Sequence, residues 1–315
     1  MDQQGNDVRK ARIASNVKDI IQFFDYIEGP VKIVIEACGI KDNIIDALRE
    51  HQYEVLISNP VTNKLIGNAK VKTDKIDAKA LANLLRAGMI HTTYYPPPAI
   101  RALRNLIKQR AYYVQECTRC KNRIQRMLLR NGTSVPRGIT SKVGKAILRR
   151  DDYPDSALIH NLICTMEHYE STINQLTQNL KEVAATMPSV GKIQSIYGFG
   201  LINAATIWGE IGEIDRFKNS KKLVGLAGLY PTTHQSGETH YKGHLARTGS
   251  PTLRTALVLS AQVHIRKDSH ITRTFKKLSK NKPFSVAMAA AARKLLVSIY
   301  YMLKNNQPFT SPSCS

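Results

Sequence analysis

Apolar positions recur in three different rhythms along the chain. In the first hundred residues, short β-branched runs alternate with helical spacing. Residues 31–37 (VKIVIEA) and 53–58 (YEVLIS) read as strands, closed by Cys38-Gly39 and Asn59-Pro60. Residues 43–51 and 74–87 (DKIDAKALANLLRA) read as helices, the second stopped by Gly88. Strand–helix–strand–helix order predicts a parallel α/β sheet. The run Tyr94-Tyr95-Pro96-Pro97-Pro98 then interrupts every pattern and marks a boundary.

Beyond it the rhythm is helical and long. Apolar residues at 100, 103, 106, 107, 114, 124, 127 and 128 predict one helix over 99–130, and a second runs from about 156 to 187. Two long helices around a polar, basic connection predict a helical hairpin or coiled-coil arm. After Pro188, a Gly-containing turn feeds an Ala-rich helix over 196–212, and 223–230 leads into a loop over 231–248. Helical segments come next at 250–267, 270–280 and 284–304, and the tail from Pro308 is Pro/Ser-rich. The predicted class is α/β plus all-α, divided as 1–98, 99–187, 188–306 and a flexible tail over 307–315.

Charge changes this picture from fold to partners. The chain carries 46 Lys and Arg against 24 Asp and Glu, a formal +22 over 315 residues. Such a field favours a polyanion, with nucleic acid first. A membrane surface would require an amphipathic or lipidated anchor, which the pattern does not offer. No signal-peptide core is present, and no stretch reads as the ~18–20 apolar residues of a membrane span, so a cytoplasmic protein without a membrane partner is expected. With 43% apolar residues the chain can build packed cores, which excludes a mostly disordered protein. Cys38, Cys117, Cys120, Cys164 and Cys314 are odd in number and scattered, which fits reduced thiols. The one CxxC lacks a second pair, so packed thiols are the better reading than zinc.

The charge is concentrated. Residues 101–150 contain 14 Lys and Arg against Glu116 alone. A solvated helix face normally mixes signs, so this run predicts phosphate contact through Arg119, Lys121, Arg123, Arg126 and Arg130. Three acidic residues point to chemistry. Asp74 and Asp77 lie three apart at a helix start, and Glu36 sits at the carboxyl end of a strand, where open parallel sheets place ligands. Together they suit Mg²⁺ and phosphodiester chemistry. The simpler reading is that the two aspartates only favour a helix N-terminus.

Two further motifs stay open on pattern alone. Gly198-Phe199-Gly200 fails as a dinucleotide fingerprint because Asn203 holds the third glycine position. It reads either as a helix-hairpin-helix-like turn that grips a phosphate or as a tight turn before a close-packed helix. Ser236-Gly237 lies in QSGETHYKGH with His234, His240 and His244. There is no GxSxG elbow, so by itself this is an ordinary turn, and the histidine spacings are weak evidence for metal.

Taken together, VKIVIEACG, ISNP and KTDKIDAKALANLLRAG resemble the catalytic domain of the DEDD-type IS-110 family of insertion-sequence transposases. IYGFGLINAATIWGEIGEIDRF, KKLVGLAGLYPTTHQSGE and ARTGSPTLRTAL resemble its C-terminal domain, in matching order over nearly the whole chain. The resemblance implies a RuvC-like, RNase H-fold domain, a coiled-coil arm and a helical C-terminal transposase domain. It also implies Mg²⁺ on the acidic residues, a serine that attacks DNA, and a structured bridge RNA that selects target and donor. Carried onto this sequence, the motif positions are Glu36, Asp74, Asp77 and Ser236; the loop around the serine itself offers Lys242 and Arg247 to neutralise charge on a phosphate under attack. Dimers pairing into a tetramer are implied as well.

One departure stands out. The family's first acidic residue lies on an opening strand resembling GIDVSK. The segment DQQGNDVRKARIASN resembles the stretch immediately after that strand, so the catalytic domain is expected to lack it here. Asp7 is not its substitute, because only 28 residues separate it from Glu36. A truncated copy that only binds nucleic acid, and a metal-dependent junction nuclease, are the competing expectations.

Overall fold

The computed structural model describes residues 1–37, 42–59, 74–134, 138–149, 154–236, 239–246 and 248–309. They form two compact units, Met1–Pro96 and Pro97–Ser315.

The first unit is built on a parallel strand pair. Helix α1 (Val17–Asp25) is capped by Asn16, whose side chain accepts from the Asp19 backbone N–H. Strand β1 (Lys32–Glu36), helix α2 (Asp42–Glu50), strand β2 (Glu54–Ser58) and helix α3 (Asp74–Arg86) come after it. β1 and β2 pair in parallel from Lys32↔Glu54 to Glu36↔Ser58, as the strand–helix–strand order predicts. Ile33, Ile44, Ile45, Leu48, Val55 and Ile57 form the core, and α1 lays Ile20, Ile21 and Phe24 against it. The outer edge of β2 is used by residues 91–93, with Thr93 N–H donating to Ile57 at 2.7 Å and Asn59 N–H to His91 at 2.8 Å. Among the described residues, β1 pairs with β2 alone.

The second unit begins with a helical hairpin. Helices α4 (Pro98–Arg130) and α6 (Ser156–Ala185) run antiparallel. Ile124 and Leu128 meet Ile159, Ile163 and Met166 at one end. Leu103 joins Leu180 and Ala184 in the main core at the other. The basic connection contains a short helix that periodicity could not reveal, α5 (Lys142–Leu148), which buries Leu148 in the hairpin core. Lys145 is buried beside it and donates to Glu170, while Arg149 pairs with Glu167 at 2.7 Å.

The remaining elements are α7 (Pro188–Gln194), α8 (Leu201–Ile211), a 3-10 turn, and α9 (Ser220–Ala227). Strands β3 (Pro231–Ser236) and β4 (Thr239–Leu245) come next, then α10 (Pro251–His264), α11 (His270–Ser279) and α12 (Phe284–Lys304). Two expectations are corrected here. The segment read as a loop over 231–248 is an antiparallel hairpin with a bulge between Pro231 and Thr233. Its strands, PTTHQS and THYKGHL, have no apolar alternation to announce them. Helix α12 is long and apolar enough to cross a membrane by length and composition, contrary to the sequence reading. The fold instead uses it as a core helix, burying Ala287, Ala291, Leu295, Leu296 and Ile299.

Candidate functional site

Glu36 ends β1, opposite Ser58, and Asp77 lies in the first turn of α3. Both line one cleft of about 1170 Å³, walled by Ile33, Ile35, Leu81 and Leu85. All five residues of β1 line this cleft. Successive strand residues point to opposite faces, so a cavity touching all of them runs along the strand's edge. That edge is the one without a partner among the described residues.

Asp74 opens the same helix, but its side chain lies outside the described residues. Among the described residues, no three His, Cys, Asp or Glu side chains converge closely enough to hold a metal. Asp7 is occupied elsewhere. It ion-pairs with Lys10 and with Lys79 at 3.4 Å, and the hydrogen bond from Lys10 leads in holding its carboxyl below the usual range.

Ser236 is the last residue of β3, in register with Thr239 across the hairpin. Lys242 lies on β4 opposite Thr233, and His234 and His240 stand opposite Tyr241 and Gln235. The side chains of these residues and of His244 lie outside the described set, as do Gly237 and Arg247 altogether.

The basic run is divided by the fold. Arg119, Arg123, Arg126 and Arg130 are spaced four, three and four apart, which puts them on one face of α4, and all four are exposed. Arg119 also holds Glu116. Lys121 falls off this face and is half-buried. Other cations counted in the net charge are engaged internally. Arg104 donates to the Gly209 carbonyl at 2.5 Å and Arg110 to Thr177 Oγ1 at 2.9 Å. Lys145 and Arg149 hold glutamates of α6. Arg137 and Arg150 lie outside the described residues.

The GFG turn separates the roles of its glycines. Gly198 has φ +94°, and a Cβ there would lie 2.7 Å from the Ser260 carbonyl oxygen and 2.9 Å from the His264 nitrogen. The neighbouring Tyr197 carbonyl is 2.8 Å from His264 Nδ1, and His264 Nε2 is 3.1 Å from Ser269 Oγ. Burial pushes the His264 imidazole below its ordinary pKa, so the ring is neutral and donates from Nδ1. Gly198 is therefore required by the close approach of α10. Gly200 differs: it precedes α8 without a side-chain cap, and nothing lies within 4 Å of a Cβ built there. The first backbone donors of α8 thus have no capping side chain.

Cys117 and Cys120 are free and pack against the hairpin core, where burial pushes both thiols up. Cys164 is free and exposed, and Cys38 and Cys314 lie outside the described residues.

Known proteins are similar along most of this length. A family model described as "Transposase IS116/IS110/IS902 family" matches residues 190–277, and a DEDD-type IS110 model described as "Transposase" matches residues 1–131. A putative transposase of Sinorhizobium fredii is 28% identical over 251 residues, covering 79% of this chain and 61% of that protein. The transposase for insertion sequence element IS1111A of Coxiella burnetii is 24% identical over 294 residues, covering 88% of this chain and 79% of its own length. The pilin gene-inverting protein of Moraxella bovis is 23% identical over 302 residues, covering 92% and 85% respectively.

Proposed function

This chain belongs to the IS110 family of insertion-sequence transposases, and on that premise we propose that it cuts and rejoins DNA through Ser236, with Glu36, Asp74 and Asp77 holding a divalent cation. The observation that carries this reading is the shared cleft: a glutamate at the carboxyl end of a parallel strand and an aspartate in the first turn of α3 line the same cavity. Kinship with a protein named for inverting a pilin gene supports rejoining as well as cleavage.

In this reading residues 1–98 form a RuvC-like, RNase H-fold domain, 99–187 a coiled-coil arm, and 188–306 the domain that carries the serine. The open edge of β1 supports the first assignment, since an added strand with alternating apolar residues can pair there and bring a further carboxylate to the cleft. Glu36 and Asp77 supply hard oxygen ligands, a donor set that fits Mg²⁺. Bound there, the ion would neutralise charge on a phosphate under attack. The Ser236 Oγ–P bond forms as one backbone P–O bond breaks, and reversal onto a different strand completes exchange. The exposed arginine face of α4 and the open N-terminus of α8 hold phosphates meanwhile. A bridge RNA as guide and assembly into dimers or tetramers are carried over from the family resemblance, and the formal charge of +22 supports an RNA partner.

Two outcomes test this. Glu36→Gln and Asp77→Asn, each isosteric, should lower divalent-dependent strand cleavage by about a hundredfold or more, the scale of losing one group that stabilises developing charge. Duplex affinity should stay within about twofold, because neither residue belongs to the positive face. Cleavage at the original rate in both variants would remove the carboxylates from the mechanism. The second outcome concerns the arm. Four exposed arginines on α4 predict a slope of log K against log salt of roughly −3.6 from this face, at about −0.9 per phosphate. Reversing Arg119, Arg123 and Arg126 to Glu should flatten the measured slope by about 2.7 and weaken all duplex sequences alike. An unchanged slope in fluorescence anisotropy would show that the duplex lies elsewhere.

A second reading, a relic that binds nucleic acid without chemistry, rests on the formal charge of +22, which supports binding to a polyanion with no need of the carboxylates. It predicts duplex binding with no metal-dependent cleavage, and so does not survive the first assay if cleavage is seen.

A further inference from the structure

Ser236 stands at the far end of β3, so whatever fixes the root of the β3–β4 hairpin also fixes the serine. Among the described residues, β3 and β4 pair only with each other, as a sheet of two strands. A lone hairpin has little stability of its own. From Pro231 to Ser236 the strand rises about 17 Å, at roughly 3.4 Å per residue, so a tilt of about 5° at the root moves its end by about 1.5 Å.

The root is where the chain enters from α9 and leaves towards α10, and Ala227, Leu229 and Ala246 are buried there. Ala246 N–H donates to the Tyr230 carbonyl at 2.9 Å, and Ser250 N–H donates to the Leu226 carbonyl at 2.7 Å. The Tyr230 and Thr248 hydroxyls meet at 3.1 Å. One side chain then ties the incoming segment to the outgoing one. Arg254, in the first turn of α10, donates from Nε to the Ala227 carbonyl at 3.0 Å and from Nη2 to the Thr248 carbonyl at 3.2 Å. Ala227 ends α9 just ahead of β3, and Thr248 lies just past β4. The first of these carbonyls is a helix-end acceptor with no partner inside α9, so the guanidinium fills a place that the fold leaves open. Gly228, at φ +62°, makes the approach possible, because a Cβ there would run into the Thr248 carbonyl oxygen and the Arg254 guanidinium.

An arginine suits this place because Nε and Nη2 share one edge of a rigid plane and reach two acceptors at a fixed separation. A lysine is a point charge on a flexible stem and does not set that separation. We infer that Arg254 is a positioning residue for Ser236: its fork sets the angle at which the hairpin leaves the helices, and through that angle the place of the serine. The inference rests on the strand-exchange reading, in which Ser236 attacks DNA. It makes a geometric claim as well, so the two can fail separately.

The test uses the full chain carrying Arg254→Lys or Arg254→Gln, with melting curves to show that both are folded. The first measurement involves no chemistry. Spin labels are attached to a ketone-bearing amino acid placed at Thr239, which pairs with Ser236, and at Thr255, exposed on α10. Both variants should shift or broaden the distance between the labels by about 3 Å or more, the effect of a tilt of about 10° over this length. The second measurement is the rate of covalent protein–DNA adduct formation at saturating duplex, with Mg²⁺ and guide RNA. It should fall about a hundredfold in Arg254→Lys, the scale of a misplacement of about 1 Å. Duplex affinity should stay within about twofold, because lysine keeps the charge. A parent chain that forms no adduct counts against the strand-exchange reading alone, and the distances then decide the inference. Distances unchanged in both folded variants overturn it. So does an unchanged adduct rate in both beside a parent that reacts, because an arginine that only stabilises the fold would lower melting and leave the rate of the folded protein alone. Duplex affinity and adduct rate that fall together in Arg254→Gln and are both intact in Arg254→Lys also overturn it, by making Arg254 a phosphate contact.

Discussion

Gly198→Ala should cost the second unit roughly 3–5 kcal/mol, the combined scale of a strained backbone and an overpacked contact. Two independent penalties meet at this residue. Its φ of +94° is a conformation that side chains rarely adopt, and the added methyl would meet the Ser260 carbonyl at 2.7 Å and the His264 amide nitrogen at 2.9 Å. Neither neighbour can yield, because both belong to the backbone of α10. His264 itself is fixed at Tyr197 and Ser269 on its two ring nitrogens. In thermal melts the variant should lose about 10 °C or more, at roughly 2–4 °C per kcal/mol for a unit of this size. Gly200→Ala, two residues on, should change melting little, since nothing lies within 4 Å of its Cβ position. Equal melting of Gly198→Ala and the parent would contradict the close approach of this turn to α10.

Much of the fold could be read from local pattern where local pattern is what the core requires. The runs VKIVIEA and YEVLIS are β-branched because a parallel strand is packed on its faces, and β1 and β2 fall within them. The helices of the hairpin are visible because Ile124, Leu128, Ile159 and Ile163 recur at helical spacing. The β3–β4 hairpin is hidden because its pairing comes from backbone hydrogen bonds between polar residues, which leave no hydrophobic rhythm. Helix α5 is hidden by length, since seven residues hold scarcely two turns. Helix α12 is legible as a helix over 284–304, and it passes the length and composition test for a membrane span because the centre of a helical core and the interior of a membrane select the same residues; packing distinguishes them.

The site divides in the same way. Glu36 and Asp77 could be named from strand-end and helix-start positions, and they line one cleft. The count of basic residues in 101–150 overstated what is available to phosphate. Arg104, Arg110, Lys145 and Arg149 are bound to partners distant in sequence, and pairings of that kind leave no mark on local composition.

Ser236→Ala should abolish covalent protein–DNA adducts while leaving duplex affinity within about twofold, because the hydroxyl carries no charge toward phosphate. A serine hydroxyl is a weak nucleophile at neutral pH and must be activated by a base, a metal or a strongly polarised phosphate. Its place at the end of β3, directly before Gly237, puts this residue on a backbone held by pairing with Thr239. Removing one oxygen leaves that pairing and the arginine face of α4 intact, so binding and chemistry should separate cleanly. The most direct measurement is denaturing electrophoresis of labelled DNA after incubation with Mg²⁺ and guide RNA, with peptide mapping of the linked species. It is made on a version of the chain extended by an opening strand of the GIDVSK type. A DNA-linked band is expected whose peptide contains Ser236 and which disappears in Ser236→Ala. A linked band that persists in the variant, or maps to another peptide, would contradict it.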